Sequence, residues 1–292
     1  MSDKVTKISI IGGYGKMGRW LARFLAKEGL QVTIAGRSLQ KLEEAARELG
    51  CRAAPLEEAV KQAQVIIISV PIGSLEDVVR EIAPHTRPGQ YVFDIASVKQ
   101  RPVEIMHKYL SGCRILGTHP MFGPGAESLQ GQRFVFTPVG DEEGSLAEQL
   151  RRQLESRGAR VTIMSPPEHD KLMGMVLGLP HFIALVSADT LLSLNSLKEA
   201  GEVSGTSFHL LLTLAEAVLS EDPDFYSSLQ MSLPDMAVIE ELFREKTGYW
   251  LNLVREHDGE HFAQRMRYLR EQFEREDPDF SAAYRNLYRL AD

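Results

Sequence analysis

His119, set in Gly117-Thr118-His119-Pro120-Met121-Phe122-Gly123-Pro124, is the side chain best placed to move a proton. An unperturbed imidazole titrates near ~6.5, which suits base catalysis around neutrality. Before it lies the strand-like run Arg114–Gly117, and Pro120 with a glycine turn fixes the chain beyond it. A second run, Tyr91–Ile95, delivers Ala96-Ser97-Val98-Lys99, with a hydroxyl on Ser97 and a cation on Lys99. A third, Lys7–Ile11, opens into Gly13-Tyr14-Gly15-Lys16-Met17-Gly18. This is G-x-G-x-x-G after a strand and before a helix. Its glycines allow a tight turn, close approach of backbone to a pyrophosphate, and close helix packing. Tyr14, Lys16 and Met17 sit between those glycines, where the helix N-terminus offers free N–H groups to an anion. Val65–Val70 ends in Ser69-Val70-Pro71, which must turn over the same ligand. Ligands of open α/β sheets lie outside the carboxyl ends of strands, so these residues belong to one crevice.

The residue closing the second strand decides the nucleotide. An NAD site normally has Asp or Glu there to accept from the ribose 2′-hydroxyl. Here the run Gln31–Ala35 is followed by Gly36-Arg37-Ser38. No carboxylate repels a 2′-phosphate, and a guanidinium with a hydroxyl can hold one. NADP is the expected cofactor, with NAD less favoured. A buried metal is not expected: His257-Asp258-Gly259-Glu260-His261 matches a zinc pattern by letters only, in a glycine-broken, charged turn.

Elements must hold these groups in place. β-branched runs alternate with helical patterns such as Met17–Glu28, Leu39–Leu49, Leu75–Ile82, Val103–Leu110 and Ser145–Ser156, and the strand series continues through Phe134–Pro138 and Arg160–Met164. Near-continuous apolar strands between helices denote a mostly parallel sheet covered on both faces. Past Pro166-Pro167 no strand pattern follows. The expected fold is α/β, a Rossmann-type doubly wound sheet over residues 1–166 binding the dinucleotide, then an all-helical domain over 167–292 for substrate binding and dimerisation. The 292 residues allow two domains, and 43% hydrophobic with 25% charged residues excludes disordered and disulfide-scaffold classes. A net charge of −7 argues against a nucleic-acid partner. Cys51 and Cys113 form no C-x-x-C, Met1-Ser2-Asp3-Lys4 carries no signal peptide, and a cytoplasmic location is expected. Leu172 to Ala188 has no charged residue, but Gly174, Gly178 and Pro180 interrupt it. It reads as a helix pair buried at a domain or subunit core, not as a membrane span, so a homodimer through the helical half is expected.

The ordered set of G-x-G-x-x-G, Asp94-Ile95-Ala96-Ser97-Val98-Lys99, Gly117–Pro124, Glu168-His169-Asp170, Leu179-Pro180-His181-Phe182 and Glu221-Asp222-Pro223-Asp224-Phe225-Tyr226 resembles the prephenate dehydrogenases of tyrosine biosynthesis over nearly the whole chain. The resemblance implies oxidative decarboxylation of prephenate to 4-hydroxyphenylpyruvate, with hydride transfer to the nicotinamide. It makes His119 the base at the C4 hydroxyl, Ser97 its orienting partner, and Lys99 and His181 substrate neighbours.

The chain also departs from that pattern. Relatives often carry a carboxylate-gripping arginine at the position of Ala217, beside Glu216, and a second one where His209 stands. No arginine occurs between Arg160 and Arg244. Lys99, His209, Lys171 or Arg244 of the partner subunit are the candidate replacements. Glu216 could instead favour arogenate, whose side chain carries an ammonium. A third reading, from another class, is a non-catalytic NADP sensor.

Overall fold

The computed structural model describes residues 6–291; Met1 to Lys4, read above as carrying no leader, lie outside them. The chain divides into two compact units, Met1–Met173 and Gly174–Asp292.

In the first unit, β1 (Lys7–Ile11), β2 (Gln31–Ala35), β3 (Arg52–Ala53), β4 (Val65–Ile68), β5 (Tyr91–Asp94), β6 (Arg114–Pro120), β7 (Arg133–Thr137) and β8 (Arg160–Ile163) form one sheet, in the order β3-β2-β1-β4-β5-β6-β7-β8. The helices are α1 (Lys16–Lys27), α2 (Leu39–Leu49), α3 (Leu56–Gln62), α4 (Leu75–Ile82), α5 (Gln100–Tyr109), α6 (Asp141–Glu155) and α7 (Pro166–Met173). All neighbouring strands run parallel except β6 and β7. The strands are apolar without alternation because both faces are covered. Ile8, Ile10, Val32, Ile34 and Leu116 join one buried cluster, with Trp20 and Leu21 of α1. Ile11, Ile66, Ile68, Val92 and Ile115 join the other, with Val79, Val103 and Met106.

Several details differ from the sequence reading. β3 and α3 are additional elements, too short to show a period. β4 stops at Ile68, so Ser69 and Val70 already belong to the turn. β6 continues past Gly117 to Pro120, because β7 pairs with it antiparallel: Gly117 faces Thr137 and His119 faces Val135. His119 is thus a strand residue. Pro166-Pro167 opens α7, where proline is tolerated in the first turn, and the compact unit runs on to Met173.

The second unit starts with a π-helical turn, Gly174–Gly178, followed by α8 (Leu179–Ser193), α9 (Leu197–Glu202), α10 (Thr206–Leu219), α11 (Pro223–Ser232), α12 (Met236–Arg255), α13 (Gly259–Glu276) and α14 (Ala283–Ala291). α8 packs on α10 and α12, α10 on α14, and α12 on α13. The π-turn meets α12 closely: a Cβ on Gly174 would stand 2.7 Å from Ile239 Cδ1. By length and composition alone, the helical span Pro166–Ser193 could cross a membrane, and only 17% of its most apolar stretch is buried. The buried helix pair expected there is therefore not formed within one chain. Met175, Val176, Leu185, Val186 and Leu192 are exposed.

Candidate active site

The turn from β1 to α1 is shaped by close approach. Gly12 has φ +82°, and a Cβ there would lie 2.1 Å from the Ser69 carbonyl oxygen. A Cβ on Gly13 would meet Ile34 Cγ2 at 2.5 Å, and one on Gly18 would meet the Gly12 oxygen at 2.6 Å. The ends of β1, β2 and β4 thereby converge on the N-terminus of α1. Gly15 is its N-cap, and no side chain caps it among the described residues. First-turn N–H groups at such a helix start are of the kind that binds an anion, and Tyr14 and Met17 flank them. This glycine cradle fits a dinucleotide pyrophosphate.

At the end of β2, a Cβ on Gly36 would stand 2.7 Å from Tyr14 Cε1. The tyrosine ring fills the place a ribose-binding carboxylate would need. Arg37 is exposed beside it. Ser38 is half-buried and caps α2, its Oγ accepting from the Lys41 N–H at 3.4 Å. Ser69 is anchored by its N–H to the Ile11 carbonyl (2.8 Å), and Val70 and Pro71 lead into a 3-10 turn at Ile72–Ser74.

His119 lies on the same edge of the sheet, because β6 is parallel to β5 and through it to β4 and β1. It is buried, 4% exposed. Its Nδ1 is 2.9 Å from Nε2 of His169 on α7, and His169 Nδ1 is 2.7 Å from Asp170 Oδ1. Asp170 in turn accepts from the backbone N–H groups of Lys99 (2.6 Å) and Gln100 (2.9 Å) at the start of α5. Burial holds the His119 pKa well below the ordinary 6.5, and the charge of Lys99 and then the neighbouring His169 ring lower it further. The ring is therefore neutral at physiological pH, the state a general base needs.

Lys99 requires a correction. Expected to reach substrate, it is fully buried; its Nζ pairs with Asp94 and donates to the Thr118 carbonyl at 2.7 Å. Burial lowers its pKa, against the raising effect of Asp94. Its charge stays inside the protein, pinning the strand residue before His119. Gly117 makes room for this: a Cβ there would meet Thr137 Oγ1 at 2.3 Å and Lys99 Cδ at 3.5 Å. Ser97 is half-buried in the turn after β5, and Nδ1 of His119 is paired with His169.

The remaining candidates belong to the helical unit. His181 on α8 packs edge-on against Tyr226 (ring centroids 4.7 Å apart), and its buried Nδ1 has no hydrogen-bond partner among the described residues. Burial lowers its pKa. His209, Glu216 and Ala217 are exposed on α10. His261 serves the start of α13, where Asp258 accepts from its N–H at 3.0 Å, while the His257 N–H donates back to the Val254 carbonyl at 3.2 Å. Among the described residues, no group of three or more His, Cys, Asp or Glu could hold a metal ion. Sequence reasoning missed the placement of His169 and Asp170, and missed Gly12. Glu168-His169-Asp170 was visible as a motif, but no spacing rule sets it against a strand fifty residues earlier.

Residues 21–163 match the prephenate dehydrogenase nucleotide-binding domain, and residues 165–268 match the prephenate dehydrogenase dimerization domain. A protein of Methanocaldococcus jannaschii named "Probable arogenate/prephenate dehydrogenase" is 33% identical over 91% of this chain, which spans 61% of that relative's length. The T-protein of Enterobacter agglomerans is 28% identical over the full chain and 74% of its own length. Among solved structures, the A. aeolicus prephenate dehydrogenase in complex with hydroxyphenyl propionate and NAD+ superposes with a TM-score of 0.77 at 20% identity, over 95% of this chain and 100% of that one. At that identity the likeness concerns the fold.

Proposed function

The chain belongs to the prephenate dehydrogenase family, and on that premise we propose that it converts prephenate to 4-hydroxyphenylpyruvate and CO2 while reducing NADP. The observation that carries this reading is a neutral, buried His119 on the same sheet edge as the glycine turn for a dinucleotide. When bound, the nucleotide supplies a hydride acceptor. His119 accepts the proton of the substrate's C4 hydroxyl, which raises electron density on that carbon and favours loss of its hydrogen as hydride. The bond from C1 to its carboxylate breaks in the same conversion, its electron pair completes the aromatic ring, and CO2 leaves. The hydroxyl oxygen becomes the phenol oxygen of the product, which takes its proton back from His119. The glycine cradle, Tyr14, Lys16, Met17, Ser69, Val70 and Pro71 would hold the nucleotide, with Arg37 and Ser38 at its 2′-phosphate.

Arogenate is the second substrate considered, because Glu216 is exposed beside Ala217 on α10 and could meet its ammonium. With Lys99 buried, the cation for a substrate carboxylate must come from elsewhere; His209 and Lys171 are exposed. We place the nucleotide function in residues 1–166 and the substrate and dimer functions in 167–292, in a cytoplasmic homodimer. The exposed apolar residues of α8 and the matched dimerization domain support the dimer.

A paired assay tests the reading, with prephenate and arogenate each offered NADP and NAD and absorbance followed at the nicotinamide band. Prephenate with NADP should give the highest kcat/KM. His119→Asn should lower kcat about 100-fold or more with nucleotide binding intact. Nucleotide binding without turnover of either substrate would favour a sensor instead.

A further inference from the structure

We infer that His169 and Asp170 are positioning residues that set the tautomer of His119, so that Nε2 is the nitrogen that takes the substrate proton; the inference rests on the reading of His119 as the base. It starts at the beginning of α5. Both carboxylate oxygens of Asp170 face backbone donors there, Oδ1 the Lys99 N–H and Oδ2 the Gln100 N–H. A carboxylate so placed only accepts. His169 Nδ1, 2.7 Å from Oδ1, must therefore carry a proton. With His169 taken as a neutral imidazole, that is its one N–H, and its Nε2 is an acceptor. His119 Nδ1 faces that atom at 2.9 Å and must be the donor. The lone pair of His119 is left on Nε2.

Burial makes this order strict. His169 is 0% exposed and Asp170 5%. With water excluded, a reversed tautomer at either ring would set two N–H groups, or two lone pairs, against each other, and nothing would compensate. During the reaction the hydroxyl proton moves to His119 Nε2. The ring then carries two N–H groups, and its Nδ1–H still points at His169 Nε2. His169 keeps its own proton towards Asp170 throughout, so no proton travels further. The Asp170 anion, one ring away, favours the imidazolium that forms. This arrangement gives the fully buried His169 a task that packing alone does not require.

The tautomer can be read on the resting full-length protein, with no substrate present. In nitrogen-15 spectra of histidine-labelled chain, with His119 identified by the signals lost in His119→Asn, Nδ1 should be protonated and Nε2 bare. His169→Phe keeps the volume but removes the acceptor; it should abolish that preference and lower kcat about 100-fold or more, with the dissociation constant for nucleotide unchanged. His169→Gln, whose amide oxygen reaches the Nε2 position, should restore most of kcat. A wild-type spectrum with the His119 proton on Nε2 would overturn the inference, whether or not the variants fold. So would a His169→Phe protein that keeps wild-type kcat. Inactivity towards both candidate substrates would instead count against the assigned reaction, and the wild-type spectrum would still decide the tautomer.

Discussion

At His119, burial and the nearby charge of Lys99 act in the same direction, and both oppose protonation. The folded pKa lies below the unfolded value of ~6.5, so the unfolded chain binds the proton more readily. This contribution to stability is fully present above ~6.5 and is lost as pH falls towards the folded pKa. Activity should follow the same sign. The acid limb of kcat/KM assigned to His119 should lie well below pH ~6.5, measured between about pH 5 and pH 8 at saturating nucleotide. A half-maximal point at or above 6.5 that vanishes in His119→Asn would contradict the burial argument. Arg37 makes a second residue-scale case. It is exposed, so the contact proposed for it with a 2′-phosphate would be partly screened, and Arg37→Ala should weaken NADP binding about tenfold and leave NAD binding unchanged, by titration calorimetry. Local chemistry in the chain singled out His119, Ser97 and Arg37, and the structure buries His119 at a strand end while Arg37 lies exposed after β2. Lys99 was misjudged because its partner, Asp94, is five residues away on the same strand end. Only the fold shows that it closes inward.

Among the elements, the β1–α1 turn was readable because its glycines sit next to each other in sequence, and the structure adds why a fourth belongs with them. Gly12 combines a left-handed backbone with contact to a neighbouring strand end. Gly12→Ala should therefore destabilise the first unit by about 3 kcal/mol or more, seen as a lower urea midpoint; a midpoint equal to wild type would show that Ser69 moves aside freely. Tyr14 and Gly36 show the same logic between elements, since the ring from one turn and the missing side chain on the next strand are mutually dependent. β6 was read four residues into its seven, because its last residues are polar or proline and look like loop. Antiparallel pairing with β7 supplies their backbone partners. Such long-range hydrogen bonding leaves no mark on hydrophobic periodicity. β3, with two residues, and α3, with seven, were missed for the same lack of signal.

Over the whole molecule, the uneven distribution of apolar surface matters more than the net charge of −7. The first unit covers both faces of its sheet. The helical unit leaves Met175 60%, Val186 41% and Leu192 61% exposed on or beside α8. A single chain gains nothing from a helix of this composition held in water, whereas a second copy would remove the same face from solvent on both partners. Light scattering at micromolar concentration should therefore give twice the 32.7 kDa of the chain. Val186→Glu tests the surface itself. Because the residue is 41% exposed, the charge can reach water in one chain, but an apolar interface would have to bury it at a cost of several kcal/mol. The variant should run at the mass of one chain with its helix content retained, and its melting temperature should lose the dependence on protein concentration expected of wild type. Wild-type protein at single-chain mass, or a variant still at twice that mass, would place the dimer surface elsewhere or remove it.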